Sequence, residues 1–269
     1  MARTDADFRA TYGPWAVVAG ASADASSGVG AEYAAQLAAR GLNLVLIARR
    51  QPQLDALAAD LAARHSIQTR TLALDLARED VGDAVAQATA DLDVGLLVYN
   101  AGLPPVGTFL GQPLATHLAE LAINCRAPMV LAYTLGQRMR ERGRGGIVLM
   151  SSLSAGQGSA LIANYAATKA YNLILAEGLW AELRAQGVDV LAVAPSAIAA
   201  PDANGKVAGG ATAPRVVVAE ALAALGRQPS VIPGLGNRLA GVVMRRLLPR
   251  RTAIVAISGV MRRMYPGAS

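Results

Sequence analysis

The stretch WAVVAGASADASSGVG, residues 15–30, decides the fold. Its first five residues are apolar, as in a strand buried on both faces, and they lead into Gly20, Gly28 and Gly30. A glycine-rich turn from strand to helix lets the backbone approach a phosphate at the helix N-terminus, where N–H groups and the helix dipole attract anions. The stretch therefore predicts a strand, an anion-binding turn and a helix, although its glycine spacing does not match G-x-G-x-x-G.

Strand-like and helix-like segments alternate along the remaining chain. This alternation predicts an α/β fold with a doubly wound, mostly parallel sheet of about seven strands, covered by helices on both faces. The predicted strands are Trp15–Ala19, Asn43–Ala48, Gln68–Leu74, Gly95–Tyr99, Gly146–Met150, Val188–Ala194 and Ser230–Pro233. The predicted helices are Val29–Arg40, Pro52–Arg64, Glu79–Ala90, Pro113–Arg142, Ala163–Gln186, Ala213–Leu225, Gly236–Leu248 and Thr252–Met264.

The chain is long enough for one large α/β domain, and 53% of its 269 residues are hydrophobic. It shows no linker, low-complexity tract or repeat. We therefore expect a single domain over residues 1–269, with its core in residues 14–233 and a basic helical C-terminal extension in residues 234–269.

The C-terminal extension has a one-sided charge distribution. No acidic residue follows Glu220, whereas eight arginines do: Arg227, Arg238, Arg245, Arg246, Arg250, Arg251, Arg262 and Arg263. A basic tail with apolar residues between its arginines could touch an anionic membrane surface or an acidic carrier. We favour the simpler interpretation, a solvated face on terminal helices that pack through their apolar side.

Several classes of protein are disfavoured by the composition. Cys125 is the single cysteine, so no internal disulfide forms, which fits a reducing cytoplasm and predicts a cytoplasmic location. His65 and His117 are interpreted as solvated surface residues, which leaves neither a metal-ligand cluster nor a Ser-His-Asp hydrolase site. Residues 1–14 lack the layout of a secretory signal, and no apolar run approaches the ~20 residues of a membrane-spanning helix. We do not expect nucleic acid as a partner.

Tyr165 and Lys169 are the most informative pair. Lysine is rare in this chain, since Lys169 and Lys206 are the two lysines among 25 basic residues. Positions i and i+4 share one face of a helix, so the ammonium can approach the phenol. A nearby positive charge favours phenolate and is expected to lower the phenol pKa from about 10, which gives a proton donor usable near neutral pH. Ser152 stands thirteen residues before the tyrosine.

The ends of the predicted strands carry residues suited to a dinucleotide, because doubly wound folds bind ligands there. An acidic residue after the second strand would accept the ribose 2′-hydroxyl of NAD, whereas an arginine accommodates the 2′-phosphate of NADP. Arg49 and Arg50 stand at this point, which favours NADP(H) over NAD(H). Arg50 fits equally well a solvated residue at a helix start. Asp75 and the Asn-Ala-Gly turn at residues 100–102 follow the next two strands.

These residues together resemble the short-chain dehydrogenase/reductase family over nearly the whole chain, to about Pro233. The resemblance depends on an ordered set rather than on one motif: the glycine-rich turn, Asp75-Leu76, Asn100-Ala101-Gly102, Asn124, Ser152, the Tyr165/Lys169 pair and Pro195. It implies a Rossmann-like fold and an NADP(H)-dependent enzyme that interconverts a ketone or aldehyde and an alcohol on an apolar substrate.

The resemblance also implies individual roles. Tyr165 would be the general acid, and Lys169 would lower its pKa and hydrogen-bond the nicotinamide ribose. Ser152 would polarise the carbonyl; Ser151 competes for this role, but Ser152 keeps the thirteen-residue interval. Asn124 would position a water in a proton relay. The residues implied to line the cofactor are Gly20, Ser22, Gly28, Val29, Gly30, Arg49, Arg50, Asp75, Leu76, Asn100, Ala101, Gly102, Tyr165, Lys169, Pro195 and Ile198.

Four departures from the family pattern bear on the cofactor. Four extra residues, including Asp24, enlarge the glycine-rich turn, and we expect them to bulge away from the phosphates. Tyr99 replaces an Asn, Ser196 a Gly and Ala200 a Thr. These departures keep a second hypothesis open, a non-catalytic nucleotide-binding sensor or scaffold of the same fold, although the retained catalytic-type residues argue against it.

The substrate pocket is expected between residues 153–164 and the loop 196–213, with Asp202 and Lys206 as the nearby charges. The small residues of this loop indicate that it closes as a lid; a disordered surface loop without substrate contact is the alternative. Apolar ketones or alcohols are the expected substrates, with an acyl thioester as an alternative. The resemblance implies a homodimer that packs through the fourth and fifth predicted helices, or a homotetramer in which such dimers pair through the C-terminal region.

Overall fold

The computed structural model describes residues 4–21, 28–199, 211–244 and 248–268. The strands are β1 Trp15–Ala19, β2 Asn43–Ala48, β3 Thr69–Ala73, β4 Val94–Tyr99, β5 Gly145–Met150, β6 Val188–Val193 and β7 Ser230–Val231. They form one parallel sheet in the order β3-β2-β1-β4-β5-β6-β7. All seven predicted strands are confirmed, each within about two residues at either end.

The helices of the described residues follow the predicted alternation with the strands. They are α1 Asp5–Tyr12, α2 Val29–Ala39, α3 Gln51–His65, α4 Val81–Ala88, α5 Leu114–Leu121, α6 Ala127–Glu141, α7 Ala163–Leu183, α8 Pro214–Ala224, α9 Leu235–Val242 and α10 Arg250–Met264. The strand order reverses between β1 and β4. Helices α2, α3 and α8 contribute to the buried cluster on one face of the sheet, and α4, α6 and α7 contribute to the cluster on the other face.

Both faces of the sheet are buried because successive strand side chains point to opposite sides. Ala16 and Val18 of β1 belong to one buried apolar cluster, together with Leu37 of α2. Val17 belongs to a second buried cluster, together with Leu131 of α6. The predicted doubly wound α/β architecture is therefore confirmed.

The fourth predicted helix is not continuous. A π-helical turn at Ala122–Arg126 separates α5 from α6, and the Ala127 N–H bonds to the Ala122 carbonyl. Pro128 explains the interruption, because proline cannot donate the hydrogen bond that an α-helix directs to the carbonyl of Asn124. The predicted helix Pro113–Arg142 is confirmed over residues 114–141. The π turn inside it was not predicted, and Asn124 lies at its centre.

The N-terminal helix α1 was not predicted. Thr4 and Asp7 form a capping box at its start, which satisfies backbone N–H groups that the helix leaves free. Phe8 and Tyr12 are buried beneath it, and the Tyr12 hydroxyl donates to Asp189 Oδ2 at 2.6 Å. The helix therefore closes the amino end of the sheet, on the side opposite to the strand ends that carry the candidate site.

The C-terminal helix α10 packs on the segment that follows β5. Ser258 Oγ accepts a hydrogen bond from the Ala160 N–H at 3.0 Å, and Arg250 donates to the Gly156 carbonyl at 3.2 Å. Ala253 is buried in this contact. The extension therefore adjoins the segment that was predicted to line the substrate pocket.

The arginines of the extension differ in their surroundings. Arg238 forms an ion pair with Glu220, and Arg251, Arg262 and Arg263 are exposed. Arg245 and Arg246 lie outside the described residues. No helix in the described parts of the chain combines the length and the apolar character needed to cross a membrane.

Candidate active site

The parallel sheet brings the carboxyl ends of its strands to one edge. The N–H groups of residues 20 and 21 donate to the Ile47 carbonyl at 2.8 and 3.1 Å, and those of residues 100 and 101 donate to the Ala19 carbonyl at 2.9 and 3.0 Å. The turns after β1 and β4 are therefore joined at the point where the strand order reverses. Doubly wound sheets bind nucleotides at such a point.

Two glycines that flank the turn after β1 have no room for a side chain. A Cβ added at Gly30 would lie 1.9 Å from the Gly20 carbonyl oxygen and 2.9 Å from Asn100 Nδ2, which itself donates to that oxygen at 2.9 Å. Gly20 has φ +86°, and a Cβ there would lie 2.5 Å from the Ala101 nitrogen. Gly28 caps α2 with φ 63°. Glycine is therefore required here by close backbone approach, as the sequence predicts.

We expect Gly30→Ala to disturb this turn. The added Cβ meets a backbone carbonyl rather than a flexible side chain, so the start of α2 must shift. The free energy of unfolding should fall by about 1–3 kcal/mol, and NADPH should bind more weakly. Thermal unfolding and calorimetric titration measure the two effects. Gly259→Ala, in an open position of α10, is the control, and equal behaviour of the two variants would contradict the packing argument.

The ends of β2 and β3 carry the predicted adenosine-side residues. Arg49 and Arg50 are exposed directly after β2. Asp75 is also exposed, and its Oδ1 accepts a hydrogen bond from the Ala77 N–H at 2.9 Å, whereas Leu76 is buried. Both arginine side chains therefore lie at the surface of this edge.

Some predicted features fall outside the described residues. These are the cofactor residue Ser22, Asp24 with the outward bulge of the insertion, and residues 200–210 of the predicted lid, which include Ala200, Asp202 and Lys206.

Tyr165 and Lys169 lie on one face of α7, one turn apart. Lys169 Nζ is 5.6 Å from the centre of the Tyr165 ring and donates to the Met150 carbonyl, at the end of β5, at 2.9 Å. Ser152 is the second residue after β5, and its side chain hydrogen-bonds the Tyr165 side chain. Ser152 Oγ also accepts from the N–H and hydroxyl of Ser154 at 3.2 and 2.9 Å. The structure therefore brings the three predicted residues together at the carboxyl edge.

The ionisation of this pair differs from the expectation. Burial raises the pKa of Tyr165 to about 12, although the Ser152 hydrogen bond opposes the rise. Burial also lowers the pKa of Lys169 to about 8. The prediction of a lowered phenol pKa was wrong for this structure, because loss of water around the phenol outweighs the Ser152 hydrogen bond. The site holds a protonated phenol at neutral pH.

Asn124 is fully buried in the π turn and is held on three sides. Its Oδ1 accepts from the Leu103 N–H at 2.8 Å, and its Nδ2 donates to the Leu103 carbonyl and to Thr168 Oγ1, both at 3.0 Å. A Cβ at Gly102 would lie 3.3 Å from Lys169 Nζ and 3.7 Å from Asn124 Oδ1. Asn124 and Lys169 therefore meet at the turn that follows β4.

Tyr99, which departs from the family pattern, has a structural explanation. Its side chain is fully buried, and its hydroxyl donates to the Ile123 carbonyl at 2.6 Å. This bond ties the end of β4 to the π turn beside Asn124. Burial raises the pKa of the Tyr99 phenol, so the hydroxyl remains a donor.

Ser151 and Ser152 have different partners. Ser151 is buried, and its hydroxyl donates to the Lys169 carbonyl at 2.7 Å, which fixes the backbone of α7. Pro195, at the end of β6, is buried, and its carbonyl accepts from the Leu153 N–H at 2.8 Å. Ile198 is half-buried and forms an isolated bridge with Thr212. Ser152 is therefore the serine that faces the phenol.

A second polar group beside Tyr165 was missed in the sequence. His117 is buried, stacks on Phe109 at 4.4 Å and has Nε2 2.9 Å from the Phe109 carbonyl, so its interpretation as a solvated residue was wrong. Glu120 is fully buried, and its Oε2 accepts from Asn164 Nδ2 at 2.5 Å. The available signal was the spacing of His117, Glu120 and Asn124, which places them on one helical face.

The chain matches the family model described as short chain dehydrogenase over residues 14–209. It belongs to the short-chain dehydrogenase family. A 7beta-hydroxysteroid dehydrogenase from Clostridium sardiniense is 29% identical over 238 residues, which cover 86% of this chain and 90% of that protein.

Two solved structures extend the similarity to the fold. One, described for 7beta-hydroxysteroid dehydrogenase stereoselectivity, has a TM-score of 0.85 at 26% identity and covers 93% of this chain and 98% of its own. The other, a short-chain dehydrogenase from Sphingobium yanoikuyae in complex with NADPH, has a TM-score of 0.71 at 27% identity and covers 95% and 96%. The chain is thus an oxidoreductase acting on hydroxyl and keto groups, in a family that uses NAD(P)(H).

Proposed function

We propose that this protein is an NADP(H)-dependent oxidoreductase that interconverts a ketone or aldehyde and an alcohol on an apolar substrate. The observation that carries the proposal is the meeting of Ser152, Tyr165 and Lys169 at the carboxyl edge of the sheet. Asn124 adjoins Lys169 across the turn after β4. The alternative of an acyl thioester substrate is kept, because the same carbonyl chemistry applies to it.

The residues at this edge fit a dinucleotide. Gly20 and Gly30 let the turn after β1 pack against Ala101 and against the Gly20 carbonyl, and dinucleotide-binding folds use a tight glycine turn of this kind for a pyrophosphate. In this proposal the turn at Gly20, Gly28 and Gly30 holds the pyrophosphate, Asp75 meets the adenine and Lys169 holds the nicotinamide ribose. When bound, the nicotinamide supplies the hydride.

In this proposal, side chains of the protein supply the proton that the substrate carbonyl receives. Ser152 donates a hydrogen bond to the substrate carbonyl and polarises it, and the Tyr165 hydroxyl gives its proton to the same oxygen. In the direction of reduction Tyr165 acts as the acid, and in the direction of oxidation its phenolate acts as the base. Asn124 anchors Leu103 and Thr168, which keeps the turn after β4 against α7 and Lys169. The relay water proposed for Asn124 would continue the proton path.

The experiment that tests the function uses purified full-length protein, NADPH or NADH, and a panel of cyclic and aryl ketones. Turnover is measured as the decrease in the absorbance of NADPH or NADH. Reduction of at least one ketone is expected, at a higher kcat/KM with NADPH. Calorimetric binding of NADPH without reduction of any ketone or oxidation of any alcohol would favour the alternative, a nucleotide-binding sensor or scaffold.

Arg49 is the residue we propose for the 2′-phosphate. Its guanidinium is exposed directly after β2, where a phosphate would accept a bidentate charge-assisted hydrogen bond. Arg49→Ala should lower the ratio of kcat/KM with NADPH to that with NADH by about tenfold to a hundredfold. Arg50→Ala is the matched comparison. If the ratio fell in Arg50→Ala and not in Arg49→Ala, Arg50 would be assigned to the 2′-phosphate instead.

We also propose a homodimer or homotetramer in the cytoplasm. Apolar side chains are exposed on neighbouring helices of the described chain: Leu114 and Leu118 of α5, Met129 and Tyr133 of α6, and Tyr171 and Ile174 of α7. Exposed apolar side chains in this number support burial against another subunit. Sedimentation velocity measures the assembly directly.

A further inference from the structure

The C-terminal extension exposes many of the apolar side chains that lie at the surface of this protein. Of the eighteen large apolar side chains exposed in the described residues, eight lie in the extension. The most exposed of these eight are Leu235 at 79%, Leu239 at 68% and Val255 at 65%. A cluster of exposed apolar side chains is typical of an interaction site.

Helix α9 has one packed side and one exposed apolar side. Leu235, Leu239 and Val242 have the spacing i, i+4, i+7, which places them on the same side of the helix, and all three are exposed. On the other side, Asn237 hydrogen-bonds residues that precede the helix, and a Cβ at Gly241 would lie 2.8 Å from a neighbouring isoleucine. The interpretation favoured from the sequence, in which the terminal helices pack through their apolar side, was therefore wrong for α9.

Helix α10 carries arginines beside an exposed apolar side chain. Arg251, Val255 and Arg262 are exposed, and their spacing of i, i+4, i+11 places them on one side of the helix. Ala253 and Ser258 are buried and fix the helix to the domain. Because no acidic residue occurs in residues 221–269, no carboxylate side chain within the extension balances this positive charge.

Both helices rest on the segment 153–160 that follows β5. A Cβ at Gly241 of α9 would lie 3.3 Å from Leu153 Cδ1, and Ser258 of α10 accepts a hydrogen bond from the Ala160 N–H at 3.0 Å. We call the exposed side chains of α9 and α10 the C-terminal surface. It adjoins the segment that was predicted to line the substrate pocket.

The charge of the C-terminal surface favours an anionic partner over a second copy of the chain. A contact between two copies about a two-fold axis pairs a surface with itself. Here it would bring arginines close to arginines, without an acidic side chain from either extension, and like charges placed together oppose binding. Anionic lipid has the complementary charge, and the boundary between its headgroups and acyl chains also accepts apolar side chains.

We propose that the C-terminal surface binds a membrane surface that contains anionic lipid. The leucines of α9 enter the boundary between headgroups and acyl chains, and the arginines of α10 attract the lipid phosphates. The two helices lie on the membrane and do not cross it. This binding goes beyond the proposed function and does not depend on it. It would bring the expected pocket close to apolar compounds that are dissolved in the lipid.

Co-sedimentation of the full-length protein with vesicles measures this binding. Wild-type protein should partition at least about tenfold more strongly onto phosphatidylcholine vesicles with about one-third phosphatidylglycerol than onto phosphatidylcholine alone. Leu235→Ser combined with Leu239→Ser should lower partitioning onto the anionic vesicles by about tenfold or more, because the apolar contribution is lost. Arg251→Gln combined with Arg262→Gln should lower it by about tenfold or more through loss of charge.

Two control variants make the same kinds of change on other surfaces. Leu110 lies in the turn before α5 and is 93% exposed, so Leu110→Ser should bind the vesicles as the wild type does. Arg140→Gln, near the end of α6, removes an exposed cation outside the C-terminal surface and should also bind normally. Thermal unfolding of all variants checks that the substitutions leave the fold intact.

Three results would overturn the proposal. The first is equal partitioning of the wild type onto anionic and neutral vesicles, or none onto either. The second is wild-type binding by the leucine variant; loss in the arginine variant alone would show a general attraction to anions, as for an acidic carrier protein. The third is a smaller assembly of the leucine variant in sedimentation velocity without lipid, which would show that a second copy covers the surface.

Discussion

Tyr165→Phe is expected to lower kcat for ketone reduction by about a hundredfold to ten-thousandfold while NADPH continues to bind. A positioned general acid contributes a factor of this size. The phenylalanine keeps the ring and its packing, so the change removes the hydroxyl that Ser152 contacts and leaves the fold in place. Steady-state kinetics with the best ketone of the panel measure the loss of turnover, and calorimetry measures cofactor affinity.

A matched control is available on the same helix. Tyr171 is 38% exposed on α7, and Tyr171→Phe removes a hydroxyl of the same chemistry outside the proposed site. The control should retain wild-type turnover. If Tyr165→Phe reduced ketones as fast as the wild type, Tyr165 would not be the acid, and the proposed mechanism would be refuted.

The strands could be predicted because the apolar pattern that identifies each strand lies within the strand itself. β1 and β2 are short apolar runs bounded by turn residues, since a strand in a parallel sheet is buried on both faces. The break between α5 and α6 could not be predicted in the same way. It depends on Pro128 together with the bond from Tyr99 to Ile123, which joins residues 24 positions apart. The short helix α1 depends likewise on Tyr12 reaching Asp189, 177 positions away.

The sequence predicted those parts of the site whose geometry follows from the separation of two residues along one helix. Tyr165 and Lys169 share a helical face at any depth of burial, so their proximity follows from four residues of separation. Their pKa values do not follow from spacing, because the amount of water lost depends on the whole fold around them. Glu120 meets Asn164 across 44 positions for the same reason, and the sequence pattern around each residue alone gave no indication of their contact.

Lys169→Met should stabilise the protein at neutral pH while it impairs catalysis. Burial lowers the pKa of Lys169 from 10.5 to about 8, so the folded protein carries the cost of a buried ammonium below pH 8. This cost is on the order of 3 kcal/mol. Methionine is unbranched, apolar and adaptable in a core. The Met150 carbonyl keeps a partner, because Asn172 Nδ2 lies 3.4 Å from it. A net gain of about 1–2 kcal/mol in unfolding free energy is expected after loss of the lysine hydrogen bond.

The pH dependence identifies the cause of that gain. Between about pH 8 and pH 10.5 the unfolded chain binds the lysine proton and the folded chain does not, so the lysine term makes wild-type stability rise with pH. Cys125 and Tyr165 give opposite slopes, because burial raises their pKa values to about 11 and about 12. The difference between wild type and Lys169→Met removes the contribution that the two proteins share and keeps the effect of the Lys169 charge, which lowers the pKa of the Cys125 thiol. It should be largest below pH 8 and shrink above it.

Urea denaturation at a series of pH values measures this difference, and ketone reduction is followed in parallel. Arg140→Met, which removes an exposed cation at the end of α6, should show no such pH-dependent gain. Two results would contradict the argument: a lower free energy of unfolding for Lys169→Met at pH 7, or a stability difference between the two proteins that does not change between pH 8 and pH 10. Either would mean that burial of the Lys169 ammonium does not destabilise the fold. A stabilised but inactive variant would show instead that the fold gives up stability to keep a cation beside the phenol.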